Sequence, residues 1–312
     1  LPGILGLYLS PASLYFGGVQ AEPSEAEVVV AGLPYDSTSS YRPGTRFAPA
    51  AIRQAAANIE FYSPRKGIDI EHVKIHDFGD VVVVTDARKQ LDIIARVVGE
   101  LLGHYRGATP VFIGGEHTVT YGIVRGLAGV APSCLLVLDA HLDMRSEYMG
   151  DPYSHACVVR RIAEDGLAER IVVVGTRAYV KEEAVFAHER GIPHIDSLRI
   201  IRGGVGVAID EVKRMLKECS GRLHISIDMD VYDPAYAPGV GNPEPEGLTP
   251  THVFDILHVV VGEALNRGLA LSLDVVEANP LVDSAGITSV LAAKTIVEFI
   301  AALVSRTKNM RG

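Results

Sequence analysis

The chain has 312 residues, 48% of them hydrophobic and 21% charged, which is long and apolar enough to bury a large core and excludes a disordered chain. A formal net charge of -9 argues against nucleic acid as a partner and mildly favours cationic small molecules. The three cysteines, Cys134, Cys157 and Cys219, contain no CxxC pair, so neither a zinc knuckle nor a disulfide framework is expected, and the chain reads as one of a reducing compartment, the cytoplasm.

Residues 1–19 are apolar but broken by Pro2, Gly3, Gly6, Pro11 and Gly17. That is too interrupted for a membrane span and lacks a basic leader, so the segment is expected to pack on the domain or on a neighbouring subunit. Short apolar runs then recur at 27–33, 73–76, 110–113, 135–139, 171–175, 193–195, 223–228 and 269–275. Continuous Val/Ile/Leu runs suit strands buried on both faces. Helical patterns separate them at 49–57, 88–105, 119–127, 156–164, 181–189, 206–219, 251–266 and 287–304. Strand and helix in alternation predict one α/β domain over residues 1–312, with a parallel sheet of about eight strands. Ligands of such sheets bind at the carboxyl ends of the strands, so chemistry is sought there.

Three strand ends carry it. After 110–113 comes Gly114-Gly115-Glu116-His117-Thr118, two glycines that permit a close backbone approach and then an imidazole. After 135–138 comes Asp139-Ala140-His141-Leu142-Asp143, whose alternate side chains converge on one side of an extended segment. The run Ser226-Ile227-Asp228-Met229-Asp230 repeats the pattern, and Asp233-Pro234 beyond it reads as a turn whose carboxylate binds its own backbone. Carboxylates aimed at one sheet edge repel unless a cation sits between them. Two His and four Asp are hard oxygen and imidazole donors suited to Mn²⁺, Fe²⁺, Co²⁺, Ni²⁺ or Zn²⁺. Six ligands exceed what one catalytic ion with an open position needs and suit two ions with bridging carboxylates. Two divalent ions, four Asp, a bridging hydroxide and Glu277 leave a net charge of roughly -2, which favours a cationic substrate and disfavours phosphoesters.

These three motifs, in order and at similar spacing, resemble those of the ureohydrolases, the arginase and agmatinase family, over residues from about Gly32 to the C-terminal helix. The resemblance implies a three-layer α/β/α sandwich and a pair of Mn²⁺ ions. His117, Asp139, Asp143 and Asp228 would hold one ion. His141, Asp139, Asp228 and Asp230 would hold the other. Tyr153-Ser154-His155-Ala156-Cys157 resembles the segment whose His shuttles protons, which makes His155 the candidate acid/base. Glu277, in Asp274-Val275-Val276-Glu277-Ala278-Asn279-Pro280, resembles the carboxylate that clamps the guanidinium. The implied reaction is attack of a metal-activated bridging hydroxide on the guanidinium carbon, with Asp143 carrying the proton to the leaving amine.

Residues 40–53 and 144–155 resemble the agmatinase versions of their segments, which implies agmatine as substrate and putrescine and urea as products. Arg42, Arg46 and Arg53 in the first of these segments are read either as ligand contacts or as solvated side chains. Glu246-Gly247 stands where many members read two glycines, so Glu246 either receives a distal amine at the cleft mouth or lies on the surface. Aminopropylagmatine, guanidinobutyrate, guanidine and arginine are the alternative substrates. A one-zinc deacetylase-like enzyme and a non-catalytic metal-binding relative are the competing classes. The family resemblance also implies a homo-oligomer, trimer or hexamer.

Overall fold

The apolar runs do pair into one sheet, and the polar residues singled out above emerge from its central strands. The computed structural model describes residues 3–18 and 20–309, so Leu1, Pro2 and Val19 of the N-terminal segment lie outside the described residues. The strands are β1 (Leu9–Ser10), β2 (Val28–Leu33), β3 (Tyr62–Ser63), β4 (Ile68–Asp69), β5 (Ile75–Val81), β6 (Thr109–Gly114), β7 (Ser133–Leu138), β8 (Ile171–Thr176), β9 (His194–Asp196), β10 (Arg222–Asp228) and β11 (Ala270–Val276). The helices are α1 (Gly3–Tyr8), α2 (Ala48–Ala56), α3 (Ala87–His104), α4 (Val119–Ala128), α5 (Val158–Glu164), α6 (Lys181–Arg190), α7 (Ser197–Gly203), α8 (Gly206–Leu216), α9 (Pro250–Asn266) and α10 (Ile287–Asn309).

Nine strands, not eight, form the main sheet in the order β1-β5-β2-β6-β11-β10-β7-β8-β9. The eight expected runs pair in parallel, and β1 adds an antiparallel edge through Leu9↔Val81. The described part of the N-terminal segment thus packs on the sheet and on α3. A two-stranded hairpin, β3-β4, stands apart.

Side chains alternate between two apolar cores. Leu136 and Leu138 of β7 join Ile225 and Ile227 of β10 and the faces of α2, α8, α9 and α10. Leu135 and Val137 point the other way, to α3, α4, α5 and α6. This is the expected three-layer sandwich, and each such buried aliphatic contributes about 1.5–3 kcal/mol. The stretch Ile287–Ser305 of α10 is long and apolar enough to cross a membrane, yet two-thirds of it is buried, as suits a core helix packed on α9 and α2.

One expectation fails. Cys134 and Cys219 form a disulfide, 85 residues apart in sequence. The parallel register that puts Arg222 opposite Ser133 and Leu223 opposite Cys134 brings the end of the α8–β10 connection back to the start of β7. Long spacing concealed that neighbourhood, and the reducing-compartment reading loses its ground. Cys157 stays free and buried, and burial pushes its thiol up to about 12. Replacing Cys134 and Cys219 by Ser is expected to cost about 2–5 kcal/mol of stability. Because the bond lies at the amino end of the strands, metal affinity should not change. Calorimetry of the double variant, with an unchanged Tm as the contrary result, checks this.

Candidate metal centre

The central strands β6, β11, β10 and β7 are neighbours in the sheet, and each ends in residues of interest. The chain passes from β6 through α4 to β7, leaving room for β11 and β10 between them. That gap is a topological switch, the place where open α/β sheets bind ligands. His117 follows β6, Asp139, His141 and Asp143 follow β7, Asp228 ends β10 with Asp230 just after, and Glu277 follows β11.

All six ligand candidates converge. His117 Nδ1 lies 3.1 Å from Asp139 Oδ2, 2.9 Å from Asp143 Oδ2 and 3.4 Å from Asp228 Oδ2. His141 Nδ1 lies 3.0 Å from Asp230 Oδ2 and 3.5 Å from Asp139 Oδ1. Two groups that could hold metal result, His117-Asp139-Asp143 and Asp139-His141-Asp230, and Asp139 belongs to both. Backbone amides aim the carboxylates: His141 N donates to Asp139 Oδ1, Ala140 N to Asp230 Oδ1 and Asp230 N to Asp228 Oδ1. Among the described residues four non-glycines have positive φ, and two of them belong to the candidate site, Asp143 at 52° and Glu277 at 63°. Such strain persists only where the surroundings enforce it.

The donor set fits a cation on two grounds. The first is an orphaned pair: His117 Nδ1 and Asp139 Oδ2 are buried without a hydrogen-bond partner, approaching each other without hydrogen-bonding geometry. His117 Nε2 meets Ser226 Oγ at 3.1 Å, and that hydroxyl donates to Asp274 Oδ1 at 2.6 Å. The Ser226 proton is therefore spent, which places the imidazole hydrogen on Nε2 and leaves Nδ1, facing three carboxylates, as the atom open to a cation or a proton. The second ground is charge. Burial, and then the Asp139 charge, raise the Asp143 carboxyl to about 7. Burial, with Asp230 and Asp139, holds Asp228 well above the usual carboxylate range. Burial would likewise raise Asp139, but His117 and His141 outweigh it and hold that carboxyl low. The imidazole of His117 is disfavoured as a cation by burial, yet Asp139 and Asp143 raise it. A cluster that draws protons onto its own ligands is short of positive charge.

Beneath the centre runs a buried polar strip that the motif reading did not assign. Asp274 Oδ2 accepts from Thr120 Oγ1 at 2.9 Å and lies 2.9 Å from His224 Nε2, whose Nδ1 meets Ser272 Oγ at 2.9 Å. Its signal was the alternation His224, Ser226, Asp228 and Ser272, Asp274 on strands otherwise apolar on both faces. Ser226→Ala is expected to weaken metal affinity about 10- to 100-fold. Titration in chelator-buffered metal reads this, and unchanged affinity would contradict the role.

Glu277 and His155 face the same centre from other sides. Glu277 Oε1 accepts from His117 N at 2.7 Å, and Glu277 N donates to Gly115 O at 2.8 Å. Burial, then the nearby Glu116 charge, hold the Glu277 carboxyl well above its ordinary range. Gly115 is the close approach anticipated from the paired glycines, since a Cβ there would stand 1.9 Å from Tyr35 O. His155 opens a 3-10 turn before α5, with Ser40 Oγ 3.5 Å from Nε2. Burial lowers its imidazole to about 4, so it is neutral near pH 7 rather than poised at its ordinary value.

A cavity of about 240 Å³ opens over these groups, lined among others by His141, Asp143, Tyr148, His155, Glu183, Asp228, Asp230, Glu244 and Glu277. Arg177 holds its rim: the guanidinium donates to the carbonyls of Asp230 at 2.6 Å, Pro245 at 2.8 Å and Glu244 at 2.9 Å. No motif pointed to Arg177, because these three partners lie more than fifty residues away.

Three sequence readings resolve here. Asp233 is the turn carboxylate expected, accepting from Ala235 N, and it also holds Gly247 N. Glu246 is exposed at φ 61° and is not among the residues lining the cavity, whereas Glu244 is. The left-handed backbone there is one that glycine adopts without strain. Arg53 is neither solvated nor at the cavity but buried against Asp77 and Asp80, and Arg46 pairs with Asp36.

Comparison with known proteins agrees with this geometry. The profile of the Arginase family matches residues 26–302. An agmatinase of Bacillus anthracis is 34% identical over 287 residues, which cover 90% of this chain and 94% of that one. An N(1)-aminopropylagmatine ureohydrolase of Thermococcus kodakarensis is 38% identical over 241 residues, covering 77% of this chain and 80% of the other. Among solved structures, the agmatine ureohydrolase of Thermoplasma volcanium aligns with a TM-score of 0.84 at 37% identity, covering 96% of this chain and 97% of that one. The chain belongs to the arginase family. It is an enzyme of the ureohydrolase class, a hydrolase of C–N bonds.

Proposed function

We propose that this enzyme acts on guanidino compounds with two Mn²⁺ ions per chain and hydrolyses agmatine to putrescine and urea. The observation that carries the reading is the shared Asp139: two His/Asp groups meet on one carboxylate, and Glu277 stands on the wall of the same cavity. His117, Asp139, Asp143 and Asp228 would hold one ion, and His141, Asp139, Asp228 and Asp230 the other. When bound, the ions supply a water nucleophile made acidic enough to ionise near neutral pH. The relatives named agmatinase and aminopropylagmatine ureohydrolase support the guanidino class.

The chain's own residues do the rest. Glu277, with Oε1 tied to the His117 amide, turns its other oxygen to a guanidinium, a planar cation that pairs well with a carboxylate. Asp143, which lines the cavity, would take the proton released by the water nucleophile and pass it to the leaving amine. His155, neutral in its buried setting, exchanges protons between this centre and solvent. The half-buried Glu244 lines the outer cavity and favours a distal amine over a distal carboxylate. Agmatine and aminopropylagmatine both carry such an amine, whereas guanidinobutyrate, arginine and guanidine do not offer the same tail.

The test is kcat/KM for urea release from these five compounds. The reading requires agmatine first, with aminopropylagmatine next and guanidinobutyrate at least about 10-fold lower. A preference for guanidinobutyrate would overturn the assignment of the tail. The proposed homo-oligomer is tested by light scattering, with a monomer as the contrary result.

A further inference from the structure

We propose that Glu116 is a positioning residue that sets the orientation of His155 through Thr38. This rests on the reading of His155 as the proton-exchanging group.

Glu116 sits on the β6–α4 connection beside His117 and is fully buried. Among the described residues no cation pairs with it. Its carboxylate is instead filled by one loop, residues 36–44. Thr38 N donates to Oε2 at 2.8 Å, Thr38 Oγ1 donates to Oε1 at 2.7 Å, and Ser39 Oγ donates to Oε2 at 3.3 Å. A buried carboxylate that spends both oxygens on a surface loop fixes that loop, since burying such a group without partners is costly.

Thr38 carries the effect onward. Its oxygen accepts the backbone N–H of His155 at 3.0 Å and stands 3.4 Å from His155 Nδ1. A hydroxyl has a single hydrogen, and Thr38 gives it to Glu116. Toward Nδ1 it can therefore only accept. Ser154 Oγ, 3.3 Å away, is the second hydroxyl at Nδ1, and Ser40 Oγ lies 3.5 Å from Nε2, so what runs through Thr38 is the placing of the ring beside the cavity. Without the carboxylate, the Thr38 amide and hydroxyl lose their anchor, and the hold of Thr38 on the His155 backbone N–H loosens with them. Glu116 touches no reacting atom in this scheme and acts only by placing His155.

The experiment is a double-mutant cycle of Glu116→Gln and His155→Ala, with Thr38→Val as a second route to the same link. Metal content per chain and hydrogen exchange of the 36–44 segment are read alongside. Glu116→Gln and Thr38→Val are each expected to lower kcat about 10- to 100-fold, with KM within about 3-fold and metal content unchanged. In the His155→Ala background, Glu116→Gln should add less than about 2-fold, because the group it positions is gone. Exchange at the Thr38 amide should quicken in Glu116→Gln whether or not agmatine is the substrate. Multiplicative losses in the cycle, a wild-type kcat in both single variants, or unchanged exchange in Glu116→Gln would each overturn the proposal. A wild-type enzyme inactive on every guanidino compound would instead sink the functional reading, and hydrogen exchange would still judge the anchoring.

Discussion

Asp139→Asn is expected to empty both halves of the metal centre at once. One Asp139 oxygen lies beside His117 and the other beside His141, so the side chain is common to both groups. An amide removes the negative charge and turns one acceptor into an N–H donor facing an imidazole lone pair. Outer partners of metal ligands are worth about 10- to 100-fold in affinity, and a ligand shared by two ions should exceed that. Metal per chain should fall below one, and urea release should fall by more than about 100-fold. The fold should survive, because relief of the crowding among Asp139, Asp143 and Asp228 offsets part of what is lost. An Asp139→Asn protein that keeps two ions would show that the site lies elsewhere.

Arg53→Ala should instead strike the fold. Arg53 is buried at 1% exposure and makes a two-pronged pair with Asp77, Nε to Oδ2 at 2.7 Å and Nη2 to Oδ1 at 2.9 Å. A third nitrogen reaches Asp80 Oδ1 at 2.6 Å, and Nη2 also donates to Gly79 O at 3.0 Å. Truncation leaves the Asp77 charge buried and without its cation. Breaking a buried pair in this way costs about 3–5 kcal/mol. In a chain of this length that lowers Tm on the order of 10 °C. Arg53→Lys should lose less but not nothing, since an ammonium cannot reproduce the guanidinium fork. An unchanged Tm in Arg53→Ala would refute the claim that α2 is tied to β5 by this network.

Both cases show which features a sequence exposes. The candidate ligand residues stand out because they are local: Asp139, His141 and Asp143 alternate along one extended segment, and Asp228 with Asp230 repeats the device. Most of the eight apolar runs were legible because a strand buried on both faces must be apolar throughout. The two-residue strands β1, β3 and β4 and the short helices α1 and α7 were not, since a pattern needs more residues than they have. Arg53 was misplaced because its partners come from a different strand, twenty-four residues on at the nearest. Arg177, the Asp274 strip and the Cys134–Cys219 bond escaped for the same reason. Each is a long-range meeting that only the parallel register creates. Glu116 lay in plain view inside a recognised motif, but its partner Thr38 is 78 residues away.

We propose that a cation bound among these six residues is what makes the protein a ureohydrolase. The direct measurement strips the protein of metal, reloads it with Mn²⁺, and records ions per chain together with urea released from agmatine. No urea is expected from the stripped protein, and its release should return as about two ions bind per chain. Urea release that persists after complete stripping, or reloading that leaves the protein without metal, would contradict it.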